Sequence, residues 1–340
     1  PFEGDPRYIL KRNLKKAADL GFTFMVGPEL EYFYFKHPDG TQILDEGGYF
    51  DMTPPDIASD LRLETVLLLE QLGISIQTSH HEVATSQHEI DPVYGEALVM
   101  ADSVMTSRLV IKEVAQKHGV YATFMPKPIF GINGSGMHVN QSLFKKNENI
   151  FFDEKDPYNL SPIARYYIAG LLKHAPEITS VVSQWTNSYK RLVSGYEAPV
   201  YISWARRNRS DMVRVPEYQK GKEKATRVEF RVPDCACNPY LAFSVLLAAG
   251  LEGIEKKYKL VAPVEENVFE MSEEEREEKG IGTLPMNLHE AVTITEKSEL
   301  VKKALGPHLF GSFIKNKKIE WDQYRTQVTE YELKKYLPVL

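Results

Sequence analysis

Two glutamates one residue apart, Glu29 and Glu31, sit in the stretch GPELEYFYF between a Gly-Pro turn and four consecutive aromatic residues. Tyr32, Phe33, Tyr34 and Phe35 favour an extended, largely buried strand, on which residues i and i+2 share a face. The two carboxylates then lie side by side, about 7 Å apart. Unpaired charge on a half-buried surface costs several kcal/mol, so this pair requires a positive partner. Further along, HHEVATSQHEI carries Glu82 and Glu89. Their odd spacing puts them on opposite faces of a straight strand, so the ATSQ insert must bend if they converge. In RVEFRV, Arg227, Glu229 and Arg231 share one strand face, an acid flanked by two guanidiniums. For any one of these the ordinary reading is a solvent-facing or salt-bridged carboxylate. Together they are an oxygen-rich set with apolar flanks, which suits Mg²⁺ or Mn²⁺. A divalent cation supplies the missing partner.

His138 lies in KPIFGINGSGMHVNQS between Met137 and Val139, where a lone histidine is more often a satisfied core residue than a ligand. The glycine-rich GINGSG lacks the Gly-Lys-Ser/Thr ending of a Walker A loop, and no helix follows it as a dinucleotide fingerprint demands. Its glycines still allow backbone N–H groups to approach a ligand closely. Between Lys190 and Arg231 there are eleven Lys/Arg against five Asp/Glu, although the chain as a whole carries a net charge of -6. A charged surface, nucleic-acid binding and convergence on a triphosphate are the readings of that segment. The third also requires the metal just inferred, and metal carboxylates beside a phosphate-binding basic group point to phosphoryl transfer.

The elements that position these residues follow from periodicity. Apolar residues at helical spacing run from Arg7 to Leu20 and stop at Gly21, and strands follow at 22–26 and 29–35. A helix is expected at 55–72, a short strand ISIQT with an extended HHEVATSQHEI beyond it, then a long helix at 94–117 ended by Gly119. The strands VYATFM and MHVNQSLF flank the glycine loop. Helices are expected at 161–174, 238–257 and from about 307, with strands and loops over 186–232 and a solvated loop or exposed helix at EMSEEEREEKG. The elements lack regular βαβ spacing, which predicts an α+β fold with a mainly antiparallel sheet. With 340 residues, 43% hydrophobic and 26% charged, the chain has the balance of a soluble globular protein with one large domain. No stretch is long and apolar enough for a membrane span, and PFEGDPRYIL has no signal pattern. Cys235 and Cys237, the only cysteines, are too close for a mutual disulfide, which fits a reducing, cytoplasmic setting.

These motifs together resemble the catalytic domain of type I glutamine synthetases over essentially the whole length. KPIFGINGSGMHVNQS is similar to that family's ATP-region signature, and GPELEYF, HHEVATSQHEID, NSYKRLVSGYEAP, NRSDMVRVP and RVEFRVPD occur in the family's order. The resemblance implies one catalytic domain over 1–340, a curved, mainly antiparallel sheet covered by helices, and two Mg²⁺ or Mn²⁺ ions with ATP as co-substrate. It implies Glu31, Glu82 and Glu89 as ligands of one metal and Glu29, His138 and Glu229 as ligands of the other. Arg191, Arg209, Arg214 and Arg231 correspond to guanidiniums around the glutamate carboxylate and the phosphoryl group, and Arg209 and Arg214 also to ATP contacts. Tyr94, Ser142, Lys224 and Arg227 fall at nucleotide positions, and Asn133 and Gly134 match the loop holding the glutamate backbone. Glu197 matches the flap residue that takes a proton from ammonium, with Tyr49 beside the ammonium pocket.

The implied reaction is phosphorylation of the glutamate γ-carboxylate by ATP, then displacement of phosphate by ammonia. Family members carry an N-terminal β-grasp domain that completes a neighbour's ammonium site within stacked hexameric rings, whereas this chain begins after it. Gln77 stands where many members have Glu, Asn140 replaces a second histidine, and Phe269 in NVFEMS stands where regulated members present an adenylylatable Tyr. A ligase for another amine, or a non-catalytic structural member, are the alternatives. Six clustered metal-ligand positions argue against the latter, because a scaffold has no need of them.

Overall fold

The computed structural model describes residues 1–52, 56–206, 208 and 211–340. Among them, strands occur at β1 (Thr23–Pro28), β2 (Leu30–Phe35), β3 (Ile76–His81), β4 (Gln87–Pro92), β5 (Gly95–Glu96), β6 (Tyr121–Thr123), β7 (Val139–Lys145), β8 (Glu148–Asn149), β9 (Trp204–Ala205), β10 (Val213–Arg214) and β11 (Val228–Phe230). They form two sheets. One has the order β5-β1-β7-β11-β10-β9, with β8 on β7, and the other β3-β4-β2-β6. Every pairing is antiparallel except β9 with β10, in keeping with the α+β expectation.

The stretches expected as neighbouring strands, β1 and β2, do not pair with each other, and the chain changes sheet between them at Glu29. Across the junction the backbone stays tied to the far side. Glu29 N–H donates to the His138 carbonyl (2.9 Å) and Glu31 N–H to that of Gly136 (3.4 Å). The two glutamates are thus held against the segment that carries the histidine.

The helices are α1 (Pro6–Asp19), α2 (Ser59–Gln71), α3 (Ala97–Lys117), α4 (Pro162–Val182), α5 (Ser188–Arg191), α6 (Pro239–Lys256), α7 (Glu273–Glu278), α8 (Leu288–Glu296), α9 (Glu299–Leu305), α10 (Pro307–Arg325) and α11 (Glu330–Tyr336). In α1 the Asp5 side chain accepts from Arg7 N–H, Pro6 opens the helix, and Gly21 follows its end at φ 81°. The acidic run forms α7, an exposed helix whose Ser272 and Glu275 make a capping box.

Three helices depart from expectation. The one expected at 55–72 starts at Ser59, position 55 lying outside the described residues. The long helix starts at Ala97 because residues 95–96 pair with β1, which leaves Tyr94 in an extended segment. The expected helix 161–174 continues through Pro176 to Val182. Proline there removes one backbone hydrogen bond, but Ile178, Thr179, Val181 and Val182 beyond it are buried, and that packing holds the last turns. α4 lies against α6 with almost no gap, since a Cβ on Gly170 would run into the Ala249 carbonyl oxygen. Trp204, Tyr32, Tyr34, Tyr167 and Phe24 anchor the core between helices and sheets.

Candidate active site

The ATSQ insert does bend. β3 and β4 are a hairpin in register His80 opposite Glu89 and His81 opposite His88. Ser86 takes φ 60° in the turn, and Glu82 N–H donates to the Gln87 carbonyl at 2.7 Å. The bend brings Glu82 back beside Glu89, and one ligand atom each from His80, Glu82 and Glu89 lies within 4.8 Å of the others. Behind the hairpin a second set of side chains is closed on itself. Buried Asp45 sits 2.7 Å from His81 Nε2 and 3.3 Å from His88 Nε2, His88 Nδ1 accepts from Arg62 at 2.8 Å, and Arg62 pairs with Asp56 at 2.7 Å. Asp45 also accepts from Ser86 N–H at 3.1 Å, so this network grips the turn from behind.

Opposite the hairpin, Glu29, His138 and Glu229 form another convergent set. Glu29 Oε2 is 2.8 Å from His138 Nδ1, and Glu229 Oε1 is 3.7 Å from the same nitrogen. Asn140 donates to Glu29 at 2.9 Å and accepts from Arg227 at 2.9 Å. Arg227 thus gives its hydrogen bond to Asn140 rather than to Glu229, although it still feels that carboxylate's charge. The guanidiniums on Glu229 are Arg214, at 2.5 Å, and Arg231, at 2.6 Å, because β10 pairs Arg214 directly opposite Glu229.

Glu31 stands between the two sets. Its Oε2 accepts from Gly136 N–H (2.8 Å) and Gln87 (3.0 Å), and its Oε1 is 3.8 Å from His138 Nε2. Its strand neighbour across the sheet is Glu89.

Glu29, Glu31, Glu82, Glu89 and Glu229 open into one cavity of about 260 Å³, together with Asp91, Tyr49, Asn133, Gly134, Arg191, Glu197, Arg214 and Arg231. Arg191 is buried, and its guanidinium donates to the carbonyls of Val232, Pro233 and Arg231. Gly134 is packed so tightly that a Cβ would strike the Pro126 carbonyl oxygen. Asn133 donates to Glu197 at 3.3 Å, and Glu197 itself holds φ 54°, a left-handed conformation unusual for a side-chain-bearing residue. A neighbouring cavity of about 180 Å³ is lined by Tyr94, Ser142, Lys224, Arg227, Gln77 and Asn140, and it shares Glu29 and Asp91 with the first. Arg214, expected at ATP, faces the acidic cavity rather than this one. Arg209 lies outside the described residues.

The electrostatics report crowding. Burial, with the charge of Glu82 close by, pushes the Glu31 carboxyl up to about 8. Burial and Glu29 push Asp91 up to about 8, and burial with Asp91 and Glu31 pushes Glu89 well above the carboxylate range. Burial and the nearby Arg231 push His138 well below its ordinary value. Seven carboxyl groups line the first cavity against three guanidiniums, more acid than those cations can neutralise, and the crowding holds protons on Glu31, Asp91 and Glu89. That donor set, oxygen-rich with imidazoles, fits hard divalent cations.

Asp91, His80, Gln87 and Tyr196 line or shape the cavity without having been singled out in the sequence. Asp91 could have been found, since it is two residues from Glu89 and shares its strand face, by the reasoning that paired Glu29 with Glu31. His80 could not, because it depends on the hairpin register.

The profile of the glutamine synthetase catalytic domain matches residues 3–336. The glutamine synthetase of Methanosarcina mazei is 52% identical over all of this chain and 76% of its own length, and that of Clostridium saccharobutylicum 51% identical over 99% and 76%. Among solved structures, a GmaS/ADP complex superposes with TM-score 0.91 at 34% identity, covering 99% of this chain and 78% of that one. Plasmodium falciparum glutamine synthetase, solved by cryoEM, superposes with TM-score 0.87 at 27% identity, covering 99% and 80%. With its carboxylate-lined cavity and its ordered motifs, the chain belongs to the glutamine synthetase family, matching it through the catalytic domain, and is a ligase of that family.

Proposed function

We propose that the chain joins ammonia to the γ-carboxylate of glutamate, driven by ATP and passing through γ-glutamyl phosphate, with two divalent cations in the acidic cavity. The observation that carries this is the pair of cavities sharing Glu29 and Asp91, one rich in carboxylates and the other lined by Tyr94, Ser142, Lys224 and Arg227. A nucleotide in the second cavity would direct its phosphates over that wall into the first, where the amino acid would lie. The ADP of the structurally similar GmaS complex supports a nucleotide site in this fold. Two divalent ions would take the place of the protons on Glu31, Asp91 and Glu89 and neutralise the excess of carboxyl groups over guanidiniums. Glu31, Glu82 and Glu89, with His80 beside them, would hold one, and Glu29, His138 and Glu229 the other. Mg²⁺ or Mn²⁺ there would neutralise charge gathering on the transferring phosphoryl group.

The protein's own groups account for the remaining steps. Asn133 and the close-packed Gly134 would seat the amino-acid backbone, with Arg191 and Arg231 near its carboxylate and Arg214 near the phosphoryl group, a role shared with Arg209. Tyr49, Glu82 and Glu197 would hold ammonium, Glu197 taking the proton that makes ammonia nucleophilic. Closure of the segment bearing Glu197 would exclude water, which hydrolyses an acyl phosphate. Residues 1–340 are read as one catalytic domain, working in a cytoplasmic ring assembly where a neighbour's N-terminal domain completes the ammonium site.

Incubating the purified complete protein, N-terminal domain included, with ATP, Mg²⁺ and glutamate, and comparing ammonia with larger amines, tests the reading. Ammonia-dependent glutamine formation matched by phosphate release is expected. No glutamate-dependent phosphate release at saturating Mg²⁺ would refute it, and faster turnover with a larger amine would transfer the reading to the other ligase.

A further inference from the structure

Lys127 is 92% buried, its relative exposure being 8%, and it does not line the acidic cavity. Its backbone is clamped on both sides by one residue, since Lys127 N–H donates to Asn187 Oδ1 at 2.8 Å and Asn187 Nδ2 donates to the Lys127 carbonyl at 3.0 Å. Its ammonium donates to the Ile132 carbonyl and lies 3.7 Å from the centroid of the Tyr196 ring. Burial and the neighbouring Arg191 lower its hold on its proton, so the ring face and the carbonyl are what keep the charge in place.

The two contacts of that ammonium join different parts of the site. Ile132 precedes Asn133 in the glycine loop, and Tyr196 precedes Glu197. Asn133 and Glu197 in turn meet at 3.3 Å across the cavity mouth. Glu197 is held at a positive φ two residues after Gly195, also at positive φ (93°), so its backbone conformation needs external support. The cation under the Tyr196 ring is placed to give it.

We propose that Lys127 is a positioning residue. Through Tyr196 it pins the 193–198 segment to the glycine loop, so that Glu197 closes over the reacting acyl phosphate. The proposal rests on the reading of Glu197 given above. Loss of the pin should leave nucleotide binding in its separate cavity intact and let water reach the intermediate.

The test compares Lys127→Met, which keeps the stem and removes the charge, with Lys127→Arg, Tyr196→Leu and Tyr196→Phe in the purified protein. Three quantities are measured: glutamine formed per ATP hydrolysed, KM for ammonium, and the dissociation constant for ATP. Lys127→Met and Tyr196→Leu should each lower the glutamine yield per ATP roughly fivefold to thirtyfold. ATP affinity should stay unchanged, and the double variant should be no worse than either single one. Lys127→Arg and Tyr196→Phe should retain most of the yield, because a cation and a ring remain. Tyr196 is only partly buried, so Tyr196→Leu reports on the clamp even if Lys127→Met does not fold. A folded Tyr196→Leu or Lys127→Met with the unaltered protein's yield per ATP would overturn the proposal. Failure of the unaltered protein to make glutamine would instead overturn the reaction assigned above.

Discussion

Replacing Glu229 by Gln separates what that carboxylate does for the fold from what it does for chemistry. Glu229 is fully buried, with Arg214 on one oxygen and Arg231 on the other. Removing its charge leaves two guanidiniums facing a neutral amide, one of which its –NH₂ end cannot satisfy. Breaking a buried ion pair from one side costs about 3–5 kcal/mol. A 340-residue chain unfolds with an entropy near 0.7 kcal/mol/K, at about 2 cal/mol/K per residue, so the melting temperature should fall by roughly 4–7 °C. Phosphoryl transfer should fall below detection, because the same oxygens belong to the His138 set. The matched control is Glu29→Gln, at a position whose side chain is 21% exposed and whose described partners are the uncharged Asn140 and a His138 that burial keeps neutral. It should abolish turnover with a shift of at most about 1–2 °C. Thermal melts and glutamate-dependent phosphate release at saturating Mg²⁺ are the assays. A Glu229→Gln protein that melts within 1 °C of the unaltered one would refute the ion-pair argument, and one that also turns over at the normal rate would remove Glu229 from the site.

Gly134→Ala should lower kcat/KM for glutamate at least about a hundredfold, because the Pro126 carbonyl must move by about an ångström and it also accepts from Ser135 N–H at 2.8 Å; steady-state kinetics would show this, and a drop under fivefold would contradict it. Mg²⁺ should raise the melting temperature of the chelator-treated protein by about 4 °C at a hundred times its dissociation constant, since it binds only the folded carboxylates, and a flat titration would count against the cation sites. Burial, with Arg62 alongside, depresses His88 from its ordinary 6.5 to about 4, so the unfolded chain takes the proton first and stability falls by about 3 kcal/mol as pH drops through that window. His81, raised despite burial by Asp45, contributes stability that is complete below about 6.5 and lost as pH rises through its folded value. The gap in melting temperature between the unaltered protein and His88→Asn should therefore change as pH falls from about 6.5 to 4, whatever the crowded carboxyl groups add to both; a gap independent of pH would refute the assignment.

Much of this was legible in the sequence, for reasons that can be traced. Period-two alternation placed Glu29 and Glu31 on one side, and it correctly required a bend between Glu82 and Glu89. Alternation along one strand cannot reveal the strand beside it, so it misses Arg214, which arrives on β10 and pairs with Glu229. His80 was invisible for the same reason, as its neighbour Glu89 lies across the hairpin. Helix starts and ends follow their glycines and prolines except at the long helix, whose expected first residues pair with β1, and at Pro176, where burial of the residues beyond it outweighs a missing hydrogen bond. The change of sheet at Glu29 has no local signal, because it is decided by which distant strands pair with each half.

The wall formed by Glu29 and Asp91 between the two cavities has a consequence for inhibition. A compound with an amino-acid head and a nucleoside tail, joined by a tether long enough to cross that wall, would occupy both compartments of one molecule. Its second contact would form at an effective concentration in the millimolar range rather than from bulk solution, and overall affinity could exceed that of either half by two to four orders of magnitude, roughly. A tether too short to clear the wall would lose the whole of that advantage. The width of the barrier is therefore measurable with a ladder of linker lengths.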